Sequence, residues 1–76
     1  MIEKHFGTVL RRVRKGKNLS QIELANLAGL DRTYISLMER GLRKPSIDVL
    51  FRLAKALGVS ASSIIVSLEN ELNENH

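Results

Sequence analysis

Between Leu19 and Gly41 the chain starts a helix, turns and starts another, which reads as two short helices joined by a tight turn. Ser20 is an N-cap residue and Glu23, three positions on, completes a capping box, so the first helix is predicted to begin at Gln21. Leu24, Ala25 and Ala28 give it one inward face. Gly29 supplies a residue that can turn the chain with a positive φ, and Leu30 points back to the core. Asp31 or Thr33 then caps a second helix with Ile35 and Met38 inward and Glu39 beside them. Arg32, Thr33, Ser36, Leu37 and Arg40 are left on the outward face.

The rest of the chain is punctuated in the same way. A helix from Ile2 to Lys15 is predicted from Phe6, Val9, Leu10 and Val13 at helical spacing, with basic residues on its other faces. Gly16 with Asn18 ends it, and Leu19 anchors the connection. After Gly41 come Leu42, Arg43, Lys44 and Pro45, a basic loop in which the proline blocks helix continuation. Ser46 caps a fourth helix, with Asp48 in its first turn and a core stripe of Ile47, Leu50, Leu53, Ala54 and Leu57. Gly58 ends it and Ser60 caps a fifth, whose apolar stripe of Ile64, Ile65, Leu68 and Leu72 exceeds what a small core needs. Asn73 to His76 are expected to fray. No strand pattern, internal repeat or linker competes, so residues 1–76 are read as one compact all-α domain of five helices.

Composition narrows the chemistry. A chain of 76 residues with 43% apolar content can build one small core. With no cysteine, neither a disulfide framework nor a thiolate zinc site can support it, and His5 and His76 lie too far apart in sequence to suggest a metal site. No nucleophile adjoins a base, no glycine-rich phosphate loop is present, and Glu69 and Glu71 do not share a helix face, so neither enzyme nor cofactor is expected. No window approaches the roughly 18 apolar residues of a membrane span and no signal peptide opens the chain, which places it in the cytoplasm. Charge is uneven: Lys4, Arg11, Arg12, Arg14, Lys15 and Lys17 face Glu3 alone in the first 17 residues, whereas Asp48, Glu69, Glu71 and Glu74 outnumber Arg52 and Lys55 after Pro45. Such asymmetry suits a protein with one face toward an anionic polymer; the plainer alternative is a solvated basic helix.

The run LSQIELANLAGLDRTYISLMERG, the following RKPSIDVLFRLAKALGV and the basic opening helix together resemble the Cro/C1-type (XRE) helix-turn-helix regulators over nearly the whole chain. LDRTYIS and ERG are also similar to the small controller proteins of restriction–modification systems. The resemblance implies a lambda-repressor-like fold with the helix-turn-helix at about 20–41. It also implies double-stranded DNA and a second copy of the chain as partners, nucleoid association when DNA is bound, and RNA polymerase or a toxin as further partners. The alternative class is an antitoxin or similar interaction module whose DNA binding is secondary.

Physical chemistry supports the DNA reading independently, since a helix fits the major groove and its exposed polar groups match base edges. The resemblance assigns Gln21 to a phosphate and Arg32, Thr33 and Ser36 to bases. Arg32 leads because its fork can bond guanine N7 and O6 together. A phosphate clamp for Arg32, and simple capping for Thr33, stand as the alternatives. Leu37 faces either a thymine methyl or a dimer partner, and Tyr34 either extends its hydroxyl to the DNA or lays its ring over the neighbouring helix. Arg40, Arg43 and Lys44 are candidate phosphate contacts, as are Arg11 and Lys15 on the first helix. By the same resemblance Arg14 and Glu39 form a structural ion pair that keeps the carboxylate from repelling phosphates. The surplus stripe of helix five, Ile64, Ile65, Leu68 and Leu72, joined by Phe51, is the expected dimer interface.

Overall fold

The start and stop signals produce five helices in a computed structural model that describes residues 2–74: α1 (Ile2–Gly16), α2 (Gln21–Ala28), α3 (Arg32–Glu39), α4 (Ile47–Leu57) and α5 (Ala61–Glu74). No strand occurs among the described residues. Both halves of the predicted capping box are present, with Ser20 Oγ accepting the Glu23 N–H at 3.0 Å and Glu23 Oε1 accepting the Ser20 N–H at 2.8 Å. The backbone bond first and the hydroxyl bond second hold the Glu23 carboxyl below its usual range. Its share of stability is therefore present above the ordinary carboxylate pKa and lost as pH falls through the folded value. Asp31, not Thr33, caps α3 (Oδ1 to the Thr33 N–H, 2.8 Å), while Ser46 and Ser60 cap α4 and α5.

α1 to α4 close alike. A left-handed residue follows each, at Asn18, Gly29, Gly41 and Gly58, and the next N–H reaches back to a carbonyl five residues earlier. These bonds are Leu19 to Arg14, Leu30 to Ala25, Leu42 to Leu37 and Val59 to Ala54, at 2.9–3.2 Å. They satisfy carbonyls that a helix end would otherwise leave unpaired. At α1 the turn belongs to Asn18 rather than to Gly16, which stays helical and lengthens α1 by one residue over the prediction. Asparagine tolerates this conformation better than most residues.

α1 lies across α3 and α5, α2 packs on α3 and α4, and α5 meets α4 at 105°. Val9, Leu10, Leu24, Ile35, Met38 and Leu53 are fully buried at the centre, and Phe6, Leu50, Leu57 and Ile64 close the core around them. Two expectations need correction. Ile47 shares the face of Leu50 and Leu53 but is 72% exposed, at the first position of α4 on the edge of a groove it lines with Ile2, Pro45 and Ile65. Ile64 is buried in the monomer's own core, so only part of the α5 stripe is left for a partner. The frayed tail expected from Asn73 is still helical through Glu74; Asn75 and His76 lie outside the described residues. No single helix is long and apolar enough to cross a membrane.

Gly7, in the middle of α1, accounts for the closeness of α1 and α3. A Cβ there would stand 2.5 Å from the Met38 carbonyl oxygen and 2.7 Å from that of Glu39, which are backbone atoms that cannot rotate away. Glycine is unfavourable in a helix interior by about 1 kcal/mol, so its presence is explained by this approach. Gly7→Ala is expected to cost about 1–3 kcal/mol by overpacking despite the gain in helix propensity. Thermal denaturation followed by circular dichroism checks this against Gly16→Ala, where nothing lies within 4 Å and stability should hold or rise.

Candidate nucleic-acid interface

Ile35 and Met38 anchor α3 in the core, and this fixes which of its residues meet solvent. Arg32, Thr33 and Arg40 are exposed, and Ser36 and Leu37 are half-buried on the same outer side. With Asp31 doing the capping, the Thr33 hydroxyl is relieved of that role. The half-buried Tyr34 ring packs on the core, and its hydroxyl donates to the Lys44 carbonyl at 3.2 Å. The side chain thus ties the exit loop to α3.

Behind α3 lies a buried polar network. Arg14 Nε and Nη2 donate to Glu39 Oε2 and Oε1 at 2.6 and 2.9 Å, and Arg14 Nη1 donates to the Leu19 carbonyl at 2.7 Å. Gln21 Nε2 adds a bond to Glu39 Oε1 at 3.1 Å. The Arg14 guanidinium is pushed above its ordinary pKa, chiefly by the hydrogen bond to Glu39, which outweighs the opposing effect of burial. The end of α1, the start of α2 and the end of α3 are thereby joined through one carboxylate. Gln21, expected at a phosphate, has its amide engaged here, with one further N–H left by its chemistry.

Exposed cations lie on the segment that leaves α3 and on α1, which packs against it. Arg40, Arg43 and Lys44 are exposed where the chain leaves it, and Arg11 and Lys15 are exposed one turn apart on α1. Arg12 turns away to Glu71 of α5 at 3.2 Å, and Arg52 faces Asp48 at 3.5 Å. Polar groups on a rigid helix, flanked by cations with no buried side-chain polar atom unpaired among the described residues, make a surface suited to a phosphate polymer.

The molecule also carries an apolar groove of about 140 Å³ between Ile2, Phe6, Pro45, Ile47, Ile65 and Leu68, with Phe51 exposed nearby on α4. The predicted interface set divides here: Phe51 and Ile65 are exposed, Leu68 and Leu72 half-buried, and Ile64 buried. Ile47 and Val66 belong to the exposed apolar surface and were not anticipated. Nor was Leu42, an exposed leucine among the loop cations, whose only sequence signal is its place directly after Gly41. A larger depression of about 510 Å³ beside Leu27, Arg52 and Lys55 gathers none of the expected site residues.

A helix-turn-helix family (HTH_3) matches residues 10–64. An uncharacterized HTH-type transcriptional regulator of Mycobacterium tuberculosis is 47% identical over 60 residues, which cover 79% of this chain and 43% of that protein. The chain therefore spans less than half the length of this relative. The control protein C.BamHI of Bacillus amyloliquefaciens is 44% identical over 61 residues, covering 79% of this chain and 75% of that one. Among solved structures, the restriction–modification controller protein C.Esp1396I, as a tetramer in complex with its natural 35 base-pair operator, superposes with a TM-score of 0.85 at 34% identity, covering 93% of each chain.

Proposed function

The chain belongs to the helix-turn-helix family, and from that premise we propose that it is a transcriptional regulator that binds a pseudo-palindromic operator as a homodimer, in the manner of the restriction–modification control proteins it resembles. The observation that carries this reading is the locking of α3 by the Arg14–Glu39–Gln21 network, with a polar face outward and a cationic rim at its exit. A helix held so firmly presents base-reading groups without an ordering cost at binding. Arg32, Thr33, Ser36 and Leu37 then face bases. Arg40, Arg43, Lys44, Arg11 and Lys15 hold phosphates, and Gln21 steadies the carboxylate behind the reading helix and offers its remaining N–H to the backbone. The role is one of binding and needs no catalytic group or cofactor.

Binding is expected to prefer half-sites about 10 bp apart and to weaken steeply with salt as counterions are released. Arg32→Ala should cost about 1–3 kcal/mol on the selected site and relax preference at one base pair, whereas Arg43→Ala should weaken all sequences alike and lower the salt slope by about one. Titration of selected and random duplexes over a salt series checks both. Equal affinity for the two duplex classes at moderate salt overturns the regulator reading.

A further inference from the structure

We propose that the depression between α2 and α4 is a docking site for an acidic amphipathic helix of a partner protein, an inference separate from DNA binding and from the dimer groove. Of the lysines and arginines only Arg52 and Lys55 follow Pro45, in a stretch where Asp48, Glu69, Glu71 and Glu74 outnumber them. Both line this one hollow of about 510 Å³. Leu27, Ala28 and Ala56 give it an apolar wall, and Leu27 is 62% exposed near the end of α2.

Arg52 is held in place there. Its Nη1 donates to the Gly29 carbonyl at 3.4 Å and its Nε faces an Asp48 carboxylate oxygen at 3.5 Å, which fixes the guanidinium beside the end of α2 while the side chain stays 51% exposed. A guanidinium carries five N–H groups, so donors remain for a ligand. Lys55 lies three residues on, one turn along the same side of α4, exposed and with no ion-pair partner among the described residues.

The chemistry of the wall selects the occupant. Two cations alone would suit a phosphate backbone, but the exposed leucine and the alanines beside them have nothing apolar to meet on one. The apolar face of a helix supplies it. Carboxylates three or four residues from an apolar side chain are its neighbours on a helix surface, and they would meet Arg52 and Lys55, which are themselves one turn apart. Contact with Leu27 supplies the affinity, while pairing at the exposed cations sets orientation and encounter rate.

The test is a library of helical peptides displayed on phage and selected against the full chain. It should enrich sequences with leucine or phenylalanine flanked by glutamate or aspartate three or four positions away. An enriched peptide, titrated by fluorescence anisotropy, should bind about tenfold more weakly to Leu27→Ser and to Lys55→Glu, and replacing its acids by their amides should cost a similar factor. Both variants should keep the helix content, the sedimentation and, at moderate salt, the operator affinity of the unaltered protein. Enrichment of no sequence, or of basic or uncharged ones, overturns the proposal, as does binding that survives both variants. A fall in operator affinity in Lys55→Glu would make that residue a phosphate contact, and a changed sedimentation would make this face an interface between copies; either overturns the proposal as well. Equal affinity of the unaltered protein for selected and random duplexes would remove the regulator reading and leave this inference standing.

Discussion

Replacing Arg14 with methionine is expected to cost about 3–5 kcal/mol, because it removes the principal partner of the buried Glu39 carboxyl group. The two side chains are only 9% and 3% exposed and meet through two parallel hydrogen bonds, so water cannot substitute for the lost guanidinium. A domain of this size commonly has about 5–15 kcal/mol of stability, and the single change removes a large share of it. Changing both residues, Arg14→Met with Glu39→Met, should recover most of the loss, since an apolar pair leaves no uncompensated charge. Denaturant unfolding of the two single variants and the double variant measures the coupling; additive losses would show that the pair acts as two separate residues. DNA affinity adds a second readout. The double variant should fold yet bind its operator more weakly, because α3 would lose the carboxylate that joins it to α1 and α2 through Arg14 and Gln21. Raised above its ordinary value, the Arg14 pKa keeps the cation charged at every working pH. Its contribution would be lost only as pH rose through that folded value, so this part of the stability should be flat from acid to mildly alkaline conditions.

What could be read in advance was what is decided locally. Caps at Ser20, Asp31, Ser46 and Ser60 and turns at Gly29, Gly41 and Gly58 depend on a side chain and the next few residues, so the five helices stand in the order predicted, with bounds within about one residue at most ends. The Arg14–Glu39 pair was reached by resemblance rather than by spacing, and the geometry matches it. Misreadings occurred where a distant neighbour decides. Ile47 has the periodicity of a core residue, but periodicity carries no information about where the packing layer ends. Ile64 and Ile65 are consecutive and equally apolar, and the seating of α5 on α1 and α4 determines that the first is buried and the second exposed. Gly7 gives no signal of its own in α1, because the Met38 and Glu39 carbonyls that require it belong to another helix. Gln21 was assigned to a phosphate by resemblance, and its bond to Glu39, 18 residues away on another helix, had no signal in local spacing.

Ile65→Asp or Phe51→Asp is expected to convert the protein to a folded monomer with much weaker operator binding. Ile65 is 40% exposed and Phe51 60% exposed, and both lie on the apolar surface of α4 and α5 that also includes Ile47 and Val66. A patch of this kind on a small basic protein has no counterpart within the monomer, and two-fold symmetry lets it cover itself, with the α3 helices of both copies turned to one side. Burial of one such side chain is worth about 1.5–3 kcal/mol, and symmetry applies each substitution twice. A buried aspartate adds its desolvation cost to that loss. Leu68 and Ile64 are poorer choices for the test: the first packs against the core and the second is part of it, so a charge at either would confound unfolding with dissociation. Sedimentation shows the change of mass, far-UV circular dichroism shows that the helices remain, and duplex titration shows the fall in affinity as the second half-site contact becomes a separate binding event. A dimer that persists in both variants places the interface on another face. Monomers that bind as tightly as the unaltered protein would mean that one copy reads the operator alone.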